Sequence, residues 1–370
     1  MRVLLTGARG FLGWHTRLRL DALTDHEVVP VGRDEWADLP AHLAGCDAVV
    51  HLAGVNRADT DEQVEGGNVT LAEDLAAAIT ASGRPLRVVY ANSVQAGNGT
   101  PYGSGKQRAA EVLRRATTEV GGHVVDVLLP NIFGEHGRPR YNSFVATFVD
   151  ATVRGERPTI TDNRVPLLHV QDAAQSLLDA LVTDAAQLSP EGEEHGVLEV
   201  WQVLQEMRES YLPHGELPDL GSDFRVALFN TFRAALFPEH SPIALVPHSD
   251  PRGSFVETVR CRGGEGQTSF STTAPGVTRG EHYHLRKIER FVVLSGTATM
   301  ELRRMYSDEV VTIEADGERP VAVDMPVGWV HNITNTGDDV LLTQFWSHEL
   351  FRQDDPDTYY EPVRPKEPAR

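Results

Sequence analysis

Along the first half of the chain, short apolar runs alternate with helix-period segments. Residues 2–5 (RVLL) run into a glycine-rich turn and then a helical pattern, WHTRLRLDALTD. EVVPVG, DAVVHLAG (47–54), a helix over about 62–82 and LRVVYANS (86–93) continue the alternation. Continuous apolar runs of this length suit parallel strands buried on both faces, and strand–helix alternation predicts an α/β, doubly wound Rossmann-type sheet. Residues 186–225 are acidic and turn-rich and read as the end of this lobe. Residues 223–238 form an amphipathic segment that reads as a packing or subunit helix. A proline-punctuated stretch at 241–248 reads as a linker. The pattern predicts two domains, 1–243 and 244–370.

Composition narrows the partners. The chain has 370 residues, with 34 basic against 53 acidic side chains and a net charge of −19. That balance argues against nucleic acid and anionic membranes, while leaving room for an anionic small ligand held by local arginines or helix N-termini. Two cysteines, Cys46 and Cys261, cannot build a disulfide framework, so a reducing, cytoplasmic setting is expected. No apolar run is long enough to be a membrane span.

The first candidate chemistry lies at the initial strand–turn–helix junction. Gly7, Gly10 and Gly13 enclose Arg9, Phe11 and Leu12 in a spacing that brings backbone close to a pyrophosphate on a helix N-terminus. At the end of the second strand stands Arg33, which suits the 2′-phosphate of NADP, with Arg9 as a second cation; Asp34 keeps NAD open. Tyr102 and Lys106 are four apart on one helical face, and Ser93 ends a strand. The lysine is expected to lower the phenol's pKa, so that Tyr102 can exchange a proton with a carbonyl or alcohol oxygen that Ser93 also binds. Arg138, Arg140 and Arg164 are candidates for holding a diphosphate, or are solvated surface.

In the second domain, His282 and His284 leave one face of a strand, Glu289 opens the next, and His331 follows in MPVGWVHN. Three imidazoles and a carboxylate suit a borderline divalent metal with an open position. In the tail, His348, Tyr359 and Tyr360 read as aromatic packing or as proton carriers.

Two resemblances follow from these motifs. TGARGFLG, HLAG, the strand-end serine, YxxxK, LLPNIFG and LLHVQDAA occur in the order of the extended short-chain dehydrogenase/reductases over about 1–240. The likeness implies a nicotinamide cofactor against Leu52, Ala53, Gly54 and Pro130, and substrate beside Asn131. The spacing Gly276-x5-His282-x-His284-x4-Glu289-x6-Gly296, with Pro326-x-Gly328-x2-His331-x3-Asn335, resembles the two cupin motifs. It implies an all-β double-stranded β-helix barrel holding a divalent metal, zinc by that family's habit. Asp250-x-Arg252-Gly253-x-Phe255 resembles the entry strand of RmlC-like epimerases, implying that Arg252 contacts a nucleotide diphosphate.

The order of the two domains is similar to the CapF (WbjC) type of bifunctional capsular-polysaccharide enzymes. That resemblance implies C3 epimerisation of a UDP-2-acetamido-2,6-dideoxy-4-hexulose in the barrel. NADPH-dependent C4 reduction to UDP-N-acetyl-6-deoxy-L-talosamine then follows in the first domain, in a homodimer. The alternatives are a single-activity 4-ketoreductase with a sugar-binding or dimerising barrel, and a reductase for a secondary-metabolite deoxysugar.

Overall fold

Each apolar run of the first half becomes a parallel strand. In the computed structural model, which describes residues 1–161 and 163–364, the strands are β1 (Arg2–Thr6), β2 (Glu27–Val31), β3 (Ala48–His51), β4 (Arg87–Ser93) and β5 (His123–Leu129). Between them run α1 (Phe11–Leu23), α2 (Leu39–Leu43), α3 (Asp61–Ser82) and α4 (Pro101–Glu119). Beyond β5 come β6 (Asn131–Phe133), α5 (Phe144–Arg154), β7 (Arg164–His169), α6 (Val170–Ala180), β8 (Gln187–Leu188) and β9 (Glu193–Gly196). The main sheet has the order β2-β1-β3-β4-β5-β8, and β6-β7-β9 form a second, three-stranded sheet.

Period-two alternation sends neighbouring strand residues to opposite faces, and here both faces are covered. Leu4, Val49, Val88 and Tyr90 pack with Leu75 and Ile79 of α3 and Leu113 of α4. Val3, Leu5, Val50, Val89 and Val127 pack with Leu20 of α1 and Leu177 of α6. At the start of α3, the Thr60 side chain accepts from the Gln63 N–H, closing a capping box.

Contacts divide the chain into two compact units, residues 1–147 with 160–198, and 148–159 with 199–370. The division falls earlier than the 243/244 boundary expected from sequence. In the second unit, α7 (Val197–His214) from Glu199 onward and α8 (Asp223–Leu236) dock on the β structure that follows. Their docking runs through buried polar groups that the helical pattern did not reveal. Tyr211 donates to Asp324 at 2.7 Å, and Arg233 donates to the Met325 carbonyl at 2.6 Å. Arg290 closes a bidentate pair with Asp324, at 2.6 and 2.8 Å, across neighbouring strands.

The β-rich part begins with β10 (Leu217–Asp219), β11 (Ile243–Ala244), β12 (His248–Asp250), β13 (Gly253–Phe255) and β14 (Cys261–Gly263). Part of the expected linker is therefore a strand: β11 pairs with a barrel strand, since an extended, proline-flanked segment can lie along a sheet edge. The barrel proper comprises β15 (Gln267–Thr273), β16 (Thr278–Tyr283), β17 (Glu289–Ser295), β18 (Thr297–Arg304) and β19 (Val310–Asp316). It continues through β20 (Val321–Met325), β21 (Trp329–Asn335), β22 (Leu341–Ser347) and β23 (Tyr359–Tyr360). Two five-stranded antiparallel sheets result, β11-β20-β17-β22-β15 and β19-β18-β21-β16-β23. Phe291, Val293, Met300, Leu302, Ile313, Val323 and Ile333 fill the space between them. This is the Rossmann-type sheet followed by an all-β cupin barrel that the sequence predicts. Among the described residues no helix is long and apolar enough to cross a membrane.

Candidate functional site

The first cradle forms where β1 ends. Gly7 turns the chain at φ +68, and a Cβ there would stand 2.8 Å from the Ala53 nitrogen; one on Gly13 would stand 2.0 Å from the Gly7 carbonyl oxygen. Only glycine permits this approach of loop, helix and neighbouring strand end. Gly10 precedes α1 with no side-chain cap, leaving the first helical N–H groups, beside Phe11 and Leu12, for an anion. Leu52, Ala53 and Gly54 leave β3 against the same turn, with the Leu52 N–H donating to the Thr6 carbonyl at 3.3 Å. Pro130 follows β5 at the same, C-terminal edge of the parallel sheet, the edge at which such folds bind ligands. A loop whose backbone no Cβ can enter fits a dinucleotide.

Just past β2, Arg33 is exposed. Arg9 is already engaged: it pairs with Asp34 at 2.9 Å and with Glu35. Glu35 also accepts the Gly32 N–H at 2.9 Å, and this bond with that from Arg9 holds its carboxyl below the usual range. Sequence reading overlooked Glu35 because it lies four residues beyond the end of β2 at Val31 and returns to it through a turn.

Ser93 is the last residue of β4, and Tyr102 and Lys106 stand on the first turns of α4. The helix start is set by Thr100, whose hydroxyl accepts the Gly103 N–H at 3.1 Å, and by Pro101 in the first turn. Burial raises the Tyr102 phenol, and a hydrogen bond with Ser93 partly offsets it. The lowering by lysine expected from sequence does not prevail. Lys106 instead donates to the Ala91 carbonyl at 2.5 Å and lies 4.2 Å over the Tyr90 ring. Its own burial pulls the ammonium down to about 7, against the pull of Asp126.

Asp126, buried on β5 and bonded by Asn92 at 3.2 Å, is the carboxylate that sequence reading passed over. A charged residue in the middle of HVVDVLL, an otherwise apolar parallel strand, was the available signal.

The remaining substrate candidates are dispersed in role. Asn131 donates to the Pro166 carbonyl at 3.3 Å, and Arg138 lies 5.0 Å over the Tyr141 ring. Arg140 has a left-handed backbone, φ 56. Arg164 donates to the Glu194 carbonyl at 2.6 Å, so it serves the β7–β9 pairing. Arg252 is exposed on the β12–β13 hairpin and chelated by Asp250.

In the barrel, four distant sequence positions converge. His282 on β16 is the register partner of His331 on β21; His284 follows β16, and Glu289 opens β17. One ligand atom from each lies within 4.8 Å of the others. His284 Nε2 is 3.1 Å and His331 Nε2 3.5 Å from a Glu289 carboxylate oxygen. The opposite ring nitrogens are tied back, His284 Nδ1 to the Asp357 carbonyl at 2.6 Å and His331 Nδ1 to the Trp329 carbonyl at 3.1 Å.

Burial, reinforced by the neighbouring rings, holds His282 down to about 3, and burial also lowers His331. Burial would raise Glu289, but His284 and His331 outweigh it and hold the carboxyl well below its usual range. Neutral imidazoles beside an ionised carboxylate are the protonation states a metal requires. The buried His331 Nε2 has no hydrogen-bond partner. An orphaned nitrogen facing a carboxylate and two further imidazoles fits a divalent metal such as zinc.

His348 receives the Ile288 N–H on Nδ1 at 2.9 Å, and Tyr359 and Tyr360 pair with Tyr283 and His282.

Sequence comparison matches residues 3–192 to the NAD dependent epimerase/dehydratase family and residues 248–359 to the polysaccharide biosynthesis C-terminal domain. The chain is 36% identical to a UDP-2-acetamido-2,6-beta-L-arabino-hexul-4-ose reductase of Pseudomonas aeruginosa, over 97% of this chain and 98% of that one. It is 30% identical to the spore coat polysaccharide biosynthesis protein SpsL of Bacillus subtilis, over 30% of this chain and 81% of that one. Among solved structures, the capsular polysaccharide assembling protein CapF of Staphylococcus aureus matches with a TM-score of 0.63 at 31% identity. That match covers 98% of this chain and all of the other.

Proposed function

For a chain that belongs to the NAD dependent epimerase/dehydratase family and to its CapF-type, barrel-bearing members, we propose a nucleotide-sugar enzyme with two chemistries. The barrel inverts C3 of a UDP-2-acetamido-2,6-dideoxy-4-hexulose, and the first unit reduces its C4 ketone to give UDP-N-acetyl-6-deoxy-L-talosamine, a glycan precursor. The observation that carries the reading is the convergence of His282, His284, Glu289 and His331 in the same chain as the Ser93–Tyr102–Lys106 set.

NADP(H) would lie along Gly7–Gly13, Leu52–Gly54 and Pro130, and when bound would supply hydride. Arg33 takes its 2′-phosphate, with Arg9 exchanging its carboxylate partners for phosphate oxygens. Tyr102 protonates O4 and Ser93 hydrogen-bonds that oxygen. Burial keeps the Tyr102 phenol protonated before transfer, and Lys106 one helical turn away favours the negative charge that develops as the proton leaves. Asn131 and Arg138 hold the sugar nucleotide on the first unit, and Arg252 meets its diphosphate at the barrel.

His282, His284, Glu289 and His331 would hold a divalent metal, which when bound would supply Lewis acidity. The chain's contribution there is to keep His282 and His331 neutral and Glu289 ionised in a buried setting. The same reading includes a cytoplasmic homodimer.

Purified protein mixed with NADPH and the UDP-4-keto sugar tests this. Loss of reduced nicotinamide absorbance with formation of a C4 alcohol is expected, and deuterium should enter C3 from heavy water without NADPH. Reduction without exchange would leave a single-activity ketoreductase.

A further inference from the structure

We propose that the C-terminal strap, and Asp357 above all, positions the metal-ligand segment by fixing which nitrogen of His284 faces the cluster. Asp357 is fully buried. Its carboxylate accepts three consecutive backbone N–H groups, from Leu285 at 3.0 Å, Arg286 at 3.0 Å and Lys287 at 2.8 Å. Its own carbonyl accepts the Nδ1 proton of His284 at 2.6 Å. One residue therefore holds the ring and the loop that follows it.

Its φ of +43 lets carbonyl and carboxylate reach the same loop, and aspartate is among the few residues that tolerate it. The neighbours extend the grip. Lys287 Nζ donates to the Pro356 carbonyl at 2.7 Å, and β23 pairs with His282 and Tyr283. The Val363 N–H donates to Glu281 at 2.6 Å, and buried Arg303 donates to the Val363 carbonyl at 2.6 Å.

With Nδ1–H given to the Asp357 carbonyl, His284 turns Nε2 toward Glu289, 3.1 Å away, where a metal would take the place of the proton that this contact shares. Partners of this kind set the tautomer and ring orientation of a ligating histidine and are commonly worth about 10–100-fold in metal affinity. Charge-assisted acceptance of three N–H groups adds stiffness that an amide could not fully replace. The grip of the DPDTY segment on the His284 loop is not legible in the sequence, because its partners lie about 70 residues upstream.

The inference rests on the metal reading above, and zinc binding to the full chain by chelator competition separates the two. The expected result is that wild type binds zinc, while Asp357→Asn binds about 10–100-fold more weakly, with metal-free melting within a few degrees of wild type. Equal affinity in both proteins overturns the role of Asp357 and leaves the metal site standing. A wild type that takes no zinc overturns the site itself. Should Asp357→Asn not fold, the nitrogen spectrum of histidine-labelled, zinc-loaded wild type decides. A proton on Nδ1 of His284 supports the assignment, and one on Nε2 overturns it.

Discussion

Buried titratable side chains set how this protein responds to acid and to loss of a charge. His51, bonded to the Thr6 hydroxyl at 2.8 Å, is held down to about 3 by burial, and His348 to about 4, also chiefly by burial. Both are neutral in the folded state and take up a proton on unfolding below about pH 6.5. The unfolded chain therefore binds more protons in that window. The histidine part of the stability is complete above pH 6.5 and falls as pH drops toward 4, by about 1.4 kcal/mol per pH unit for each group. Melting temperature followed from pH 8 to 4.5 should show this decline, and His51→Asn should flatten it. A second expectation concerns Asp324, which neutralises Arg290 and accepts from Tyr211. Asp324→Asn leaves a buried guanidinium unpaired and should cost about 3–5 kcal/mol in chemical denaturation.

At the scale of elements, the entry to α4 decides where the phenol stands. A Cβ on Gly103 would lie 2.3 Å from the Gln95 carbonyl oxygen and the Asn98 side chain, so the preceding turn and the helix meet only through glycine. Gly103→Ala should displace the first turn that carries Tyr102. A displacement of about 1 Å at a reacting group costs on the order of 100-fold in rate. Ketone reduction by this variant should fall by about that factor, while its circular dichroism and zinc content match wild type. The helix itself was legible from sequence in the Tyr102–Lys106 spacing, while its Thr100 cap was not singled out there. The direction of Lys106 was not, because the Ala91 carbonyl and Tyr90 ring that receive it belong to a strand 15 residues upstream.

For the molecule as a whole, the proposed chemistries use different residues and should separate. His282→Ala should abolish zinc binding and deuterium entry at C3, while nicotinamide binding, followed by fluorescence, persists. Tyr102→Phe should abolish reduction and leave exchange intact. Loss of both activities from either change would count against two sites.

Much of this arrangement is written locally. Alternating runs specified the parallel sheet, because a strand covered on both faces must be apolar throughout. The glycine loop, the Tyr102–Lys106 pair and the His282–His284 spacing declare themselves because each depends on neighbours a few residues apart. What folding alone decided are the long-range partners. Glu35 returned to Arg9, Asp126 was buried beside Asn92, α7 and α8 joined the barrel through Tyr211 and Arg233, and Asp357 closed on His284. Such pairings involve polar groups whose need for a partner arises only once water is excluded, and no period along the chain records which distant group will meet that need.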